Sequence, residues 1–105
     1  MTQRYETEAQ FQAAVMDAAE RQGWQAYHVP DSRRVTSPGF PDLVLAHPSR
    51  GRLVFAELKT NKGRLSEHQR QWLWALENAG AEVHVWRPVD WEGSITAVLA
   101  GRGKA

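Results

Sequence analysis

Phe11, Ala14, Val15, Ala18 and Ala19 recur at the three-and-four spacing of an amphipathic helix, and Gly23 follows where a helix end favours a residue free to take positive φ. This pattern predicts a first helix over residues 7–22. Residues 24–29 read as a strand stopped by Pro30, and the polar stretch 31–39 reads as a loop. Two apolar runs of strand length, 43–46 and 53–58, flank the turn-rich His47-Pro48-Ser49-Arg50-Gly51 and predict a hairpin. After a loop at Lys62-Gly63-Arg64, Ser66 and Gln69 stand at capping-box spacing ahead of the stripe Trp72, Leu73 and Leu76, which ends near Gly80. Residues 82–87 alternate as a strand does, Pro88 stops them, and Trp91, Ile95, Val98 and Leu99 predict a final amphipathic helix. The order is αβββαβα. A hairpin followed by a helical crossover to another strand gives an α/β fold with a mixed sheet flanked by helices.

Composition sharpens this picture. At 105 residues, with 42% hydrophobic and 24% charged positions, the chain reads as one domain spanning 1–105, and a disordered tail is excluded. With no cysteine, disulfides and thiolate metal sites are excluded as well. The polar first twelve residues lack the apolar run of a signal peptide, and no stretch approaches the roughly 20 apolar residues that cross a bilayer, so the expectation is a cytoplasmic protein without membrane contact. The net charge of +1 conceals an uneven distribution: residues 1–27 carry −2, residues 28–70 carry +4 and residues 71–105 carry −1. The basic middle third is dense enough to follow a phosphate backbone, although a solvated surface has the same composition.

Candidate chemistry concentrates on Asp42, Glu57 and Lys59. Period-two alternation puts Leu53, Phe55, Glu57 and Lys59 on one strand face and Val54, Ala56 and Leu58 on the other, so the charged pair is expected to share a face with core residues. If the hairpin closes with His47 opposite Arg52, the same register sets Asp42 opposite Glu57. Directly opposed residues have β-carbons about 4.5–5.5 Å apart, and like charges there destabilise a sheet. A hard divalent cation such as Mg²⁺ or Mn²⁺ would reconcile them, with the Leu58 carbonyl as a further oxygen ligand. Lys59 would then stand beside the cation, able to orient a water or to stabilise a pentavalent phosphate. An ordinary salt bridge between Lys59 and one carboxylate fits the bare pattern too.

Two further polar residues lie on apolar stripes. Glu8 falls about 20° from Val15 and about 60° from Phe11 on the helical wheel, and Gln12 lies on the same face. Glu8 equally suits the first turn of a helix capped by Thr7, where an acidic side chain complements the dipole. Gln69 shares the stripe of Trp72, Leu73 and Leu76, so it can reach the face carrying Lys59 while also completing the box opened by Ser66.

Gly39-Phe40-Pro41-Asp42, then Glu57-Leu58-Lys59, then Gln69 on the following helix resembles the PD-(D/E)XK nuclease superfamily, in particular its stand-alone VRR-Nuc domains of phage and bacterial type. The resemblance runs from Glu8 to Trp91. It includes His28-Val29-Pro30-Asp31-Ser32-Arg33-Arg34, Lys62-Gly63-Arg64-Leu65-Ser66 and Trp86-Arg87-Pro88. It implies a restriction-endonuclease-like αβββαβ core, with a C-terminal helix added here. It also implies Asp42 and Glu57 as metal ligands, Leu58 as a carbonyl ligand, Lys59 as the catalytic lysine, Gln69 as its helper and Glu8 as the acidic residue of the first helix. Gln12 is the alternative to Glu8.

The resulting expectation is a Mg²⁺- or Mn²⁺-dependent DNA endonuclease, with Holliday junctions or other branched DNA as candidate substrates. The competing reading is a non-catalytic DNA-binding or assembly factor of the same fold. A histidine metallohydrolase built from His28, His47, His68 and His84 is disfavoured, because no His pair has a zinc-helix spacing. Arg33, Arg34, Lys62 and Arg64, with Ser32, are the expected phosphate contacts in loops flanking the site. Symmetric cutting of two strands by so small a body favours a homodimer, with Trp74, which the wheel turns outward, as a candidate contact.

Overall fold

The capping box predicted for the second helix has a counterpart at the first. Thr7 Oγ1 accepts from Gln10 N at 3.1 Å while Gln10 Oε1 accepts from Thr7 N at 3.3 Å, which satisfies two otherwise orphaned amides and starts α1, Glu8–Arg21. The computed structural model describes Tyr5, residues 7–30 and residues 37–102. Beyond α1 follow β1 (Gln25–His28), β2 (Leu43–His47), β3 (Arg52–Leu58), α2 (Glu67–Asn78), β4 (Glu82–Trp86) and a one-turn α3 (Thr96–Leu99).

The four strands form one sheet in the order β1-β2-β3-β4. Both β1–β2 and β2–β3 are antiparallel, and β3–β4 is parallel, with α2 as the crossover. The hairpin register is the expected one, His47 opposite Arg52 and Leu43 opposite Ala56. Its connector is a single 3-10 turn, Pro48–Arg50, closed by Gly51 at φ +63° in the left-handed region that glycine tolerates.

The sheet has two unequal faces. Leu43, Leu45, Val54, Ala56, Leu58 and Trp86 are fully buried and cluster with Phe11, Val15 and Ala19 of α1 and with Ile95, Val98 and Leu99. The opposite face carries Val44, Phe55 and Glu57, and α2 lies over it, with Phe40 stacked edge-on between Phe55 and Trp72 at centroid distances of 5.8 and 5.0 Å. This corrects the expectation that Glu57 shares a face with the main core. Leu53, two positions along the same face from Phe55, is 51% exposed. The reason is coverage: α2 buries none of its residues fully, whereas α1 and the C-terminal segment together close the other face.

The final amphipathic helix is also corrected. After β4 the chain makes a 3-10 turn at Pro88–Asp90 and a wide turn at Trp91–Ile95, and only Thr96–Leu99 is α-helical. Gly93, at φ −107° and ψ −105°, breaks the helical path. The apolar periodicity nonetheless places Ile95, Val98 and Leu99 in the core, and Trp91 packs on Phe11 with ring centroids 6.4 Å apart.

At the sheet end away from Glu57, Arg52 and Glu82 form a buried two-pronged ion pair, Nε to Oε1 at 3.2 Å and a second guanidinium nitrogen to Oε2. The remaining Arg52 nitrogen donates to the Arg102 carbonyl at 3.0 Å, and Arg50 donates to the Leu99 carbonyl at 2.9 Å. Giving each nitrogen of a buried guanidinium a partner is what makes such a pair tolerable. Here it also pins the C-terminal segment to the sheet.

Candidate active site

Asp42 stands one residue before β2, and its position is set from both sides. Its carbonyl accepts from Val29 N at 2.8 Å, extending the β1–β2 ladder, and its Oδ2 accepts from Leu58 N at 2.8 Å. The carboxylate therefore reaches across to the end of β3 rather than merely facing a cross-strand neighbour. Upstream, Gly39 at φ +93° is buried against the first turn of α2. A β-carbon there would lie 2.5 Å from the His68 carbonyl carbon and 2.8 Å from Gln69 N. Only glycine permits that approach.

Glu57 is 1% exposed and belongs to β3 through its whole backbone. Gln69 Nε2 donates to Glu57 Oε2 at 2.9 Å, and Gln69 Oε1 accepts from Ser66 N at 2.8 Å. Ser66 Oγ in turn accepts from Gln69 N at 3.1 Å. The two roles expected of Gln69, helix cap and site residue, are held at once. Among the described residues Glu57 Oε1 is buried without a hydrogen-bond partner. Burial pushes the Glu57 carboxyl up to about 8, the nearby Asp42 carboxylate pushes the same way, Lys59 opposes them, and Glu8 adds a last upward contribution. The orphaned oxygen and the raised pKa express the same lack of a positive charge between two neighbouring carboxylates.

Lys59 continues β3 by one bond, its N donating to the Trp86 carbonyl at 3.0 Å, and its side chain is half-buried. The loop that follows is fastened from the end of the neighbouring strand β4: one Arg87 guanidinium nitrogen donates to the carbonyls of both Thr60 and Gly63, each at 2.6 Å. Asn61 Oδ1 accepts from Val89 N at 3.0 Å. Lys62 and Arg64 on this loop are exposed.

Glu8 is exposed in the first turn behind the Thr7 cap, so the dipole role is filled, and it contributes to the field at Glu57. Among the described residues no three His, Cys, Asp or Glu side chains converge as a metal cluster. The donor set that exists is the Asp42–Glu57 carboxylate pair with the neighbouring backbone oxygen of Leu58, a hard set suited to a divalent cation that keeps several waters. Ser32, Arg33 and Arg34 lie outside the described residues. Two of the four histidines are otherwise engaged: His47 donates to the Gln22 carbonyl and His84 pairs with Glu82, each at 2.9 Å, while His28 and His68 are exposed. Trp74 is 69% exposed, as the wheel requires.

Two residues escaped assignment from sequence, Gly39 and Arg87. Both stand in the motifs that carry the family resemblance, but nothing local to either shows what it touches.

The VRR-NUC domain model matches residues 4–90. A solved VRR_NUC domain superposes with a TM-score of 0.64 at 25% identity, covering 74% of this chain and 81% of its own. The Archaeoglobus fulgidus Hjc, described as a Holliday junction resolvase, superposes with a TM-score of 0.57 at 23% identity over 73% of this chain and 63% of its own, a likeness of fold. In sequence, the chain is 40% identical over 50 residues to the Fanconi-associated nuclease 1 homolog of Schizosaccharomyces pombe. That match spans 48% of this chain and 7% of the relative.

Proposed function

The chain belongs to the VRR-NUC domain family of PD-(D/E)XK nucleases, and from that premise we propose that it is a divalent-metal-dependent DNA endonuclease acting on branched DNA. The observation that carries this reading is the Asp42–Glu57 pair: a carboxylate 1% exposed, one oxygen held by Gln69 and the other without a donor, facing a second carboxylate. Such an arrangement is costly unless a cation completes it.

Asp42, Glu57 and the Leu58 carbonyl would hold Mg²⁺ or Mn²⁺, which when bound polarises a phosphoryl oxygen and lowers the pKa of water. The chain's own residues supply the rest. Lys59 places an ammonium beside the scissile phosphate, where it orients the attacking water and stabilises the charge that grows on the phosphoryl oxygens. Gln69 keeps Glu57 in one rotamer, and Glu8 adds negative potential that favours cation entry. As the water oxygen bonds to phosphorus and gives up a proton to solvent, the bond to the leaving deoxyribose oxygen breaks and that oxygen takes a proton from solvent. Lys62 and Arg64, and with them Ser32, Arg33 and Arg34, grip flanking phosphates.

The fold likeness to a Holliday junction resolvase supports branched DNA as the substrate. A homodimer would bring two such sites to opposed strands. Cleavage of labelled linear, nicked, flapped and four-way DNA with Mg²⁺ or Mn²⁺, with a chelator, and with Glu57→Ala tests the reading. Cation-dependent cutting, greatest on branched DNA and lost in Glu57→Ala, is expected. Chelator-resistant cutting, or tight binding without cutting, overturns it in favour of other chemistry or a binding factor. Light scattering with and without four-way DNA tests the dimer.

A further inference from the structure

Arg87 is not used by the chemistry above, yet its side chain crosses to the loop that follows the Lys59 position. A single terminal nitrogen donates to the Thr60 and Gly63 carbonyls, each at 2.6 Å, 27 and 24 residues away in sequence. The same segment is stitched twice more, by Lys59 N to the Trp86 carbonyl at 3.0 Å and by Val89 N to Asn61 Oδ1 at 3.0 Å. Gly63 N closes the turn onto the Thr60 carbonyl at 3.2 Å, so Arg87 grasps both ends of one turn. The Lys59 side chain runs against this turn: a β-carbon built on Gly63 would stand 3.4 Å from Lys59 Cδ and 3.1 Å from Thr60 Oγ1. The wall beside the lysine stem is therefore the piece of backbone that Arg87 fixes.

We infer that Arg87 is a positioning residue for Lys59: by clasping the Thr60–Gly63 turn from behind, it sets the shelf along which the lysine extends toward the carboxylate pair. This inference rests on the reading of Lys59 as catalytic. Charge-assisted bonds from one cation to two carbonyls resist bending of the turn more than neutral contacts do. Misplacing a reacting group by about 1 Å can cost on the order of 10²-fold in rate. The guanidinium is half-buried, and the nitrogen that holds both carbonyls is committed to them.

The test is steady-state cleavage of four-way DNA by Arg87→Met, Arg87→Lys and Gly63→Ala, with Lys59→Met as reference. Because one nitrogen makes both bonds, an ammonium can replace it. Arg87→Met is expected to lower kcat by about 10-fold or more with KM within about twofold, and Arg87→Lys to recover most of that loss, since positioning acts on the transition state rather than on uniform binding. Gly63→Ala, which crowds Lys59 without touching Arg87, is expected to show a smaller fall of the same kind and covers the case in which Arg87→Met fails to fold. The sequence holds only three lysines, Lys59, Lys62 and Lys104. In ¹³C-methylated protein the Lys59 signal, assigned by its loss in Lys59→Met, is expected to move in Arg87→Met before any DNA is added.

A wild-type kcat in folded Arg87→Met or Gly63→Ala, a raised KM with kcat intact, or an unmoved Lys59 signal overturns the inference. Retained activity in Lys59→Met instead overturns the catalytic reading on which it stands, and the two failures are thereby separated.

Discussion

Gln69 donates its amide nitrogen to Glu57 Oε2 at 2.9 Å while the same amide's oxygen accepts from Ser66 N at 2.8 Å. The amide can serve both partners in only one orientation, so the start of α2 dictates which face of Gln69 meets the buried carboxylate. Ser66→Ala removes the hydroxyl cap but leaves the Ser66 backbone amide, and it should cost about 1 kcal/mol of stability with little change in cleavage. Gln69→Leu removes the grip on Glu57 and should cost about 10–100-fold in cation affinity or rate. Thermal melts beside cation titrations separate the two, and equal activity losses in both variants would refute the division of roles.

The Glu57 carboxyl, pushed up to about 8 by burial and by Asp42, makes the cation-free protein pH-sensitive. The folded state holds a proton that the unfolded chain releases near its ordinary carboxyl pKa of about 4.3. Stability from this group is therefore full below that value and lost as pH rises through about 8. Melting temperatures in chelator should fall over this window, Glu57→Gln should flatten the fall, and Mg²⁺ should raise the melting temperature more at pH 8 than at pH 6, because it competes with the proton. A cation-free melting temperature that rises across the window in wild type alone would contradict this account.

Gly39 is required by proximity as well as by its backbone angle. At φ +93° and with a virtual β-carbon 2.5 Å from the His68 carbonyl carbon, Gly39→Ala must push the loop bearing Asp42 away from the turn bearing Gln69. A loss of about 1–3 kcal/mol is expected, together with a fall in cleavage in the protein that remains folded. Calorimetry and single-turnover cleavage measure the two effects, and a variant as stable and active as wild type would show that the close approach is dispensable.

Lys62 and Arg64 are exposed beside the site and should act on affinity more than on rate. Their double alanine variant should bind DNA more weakly and reduce the slope of log affinity against log salt by about 2. Fluorescence anisotropy between low and moderate salt measures this, and an unchanged slope would return both to the role of solubilising charges.

The sequence by itself determined what depends on neighbours within a few residues. The Ser66–Gln69 box, the helix stop at Gly80 (φ +100°) and the hairpin register through His47 and Arg52 are local, and each follows from residue type and spacing. That register brings Asp42 to the end of β3 beside Glu57, so the candidate carboxylate pair was legible in one dimension. The choice of core face was not. Strand β3 is apolar on both sides, with Val54, Ala56 and Leu58 on one and Leu53 and Phe55 on the other, and only the unequal cover from α1, the C-terminal segment and α2 decided between them. The break in the last helix turned on the backbone of Gly93, while its apolar spacing still found the core. The contacts of Gly39 with α2 and of Arg87 with the Thr60–Gly63 turn join residues more than twenty positions apart. Periodicity carries no record of such pairs, because they form only when separate elements close on one another in space.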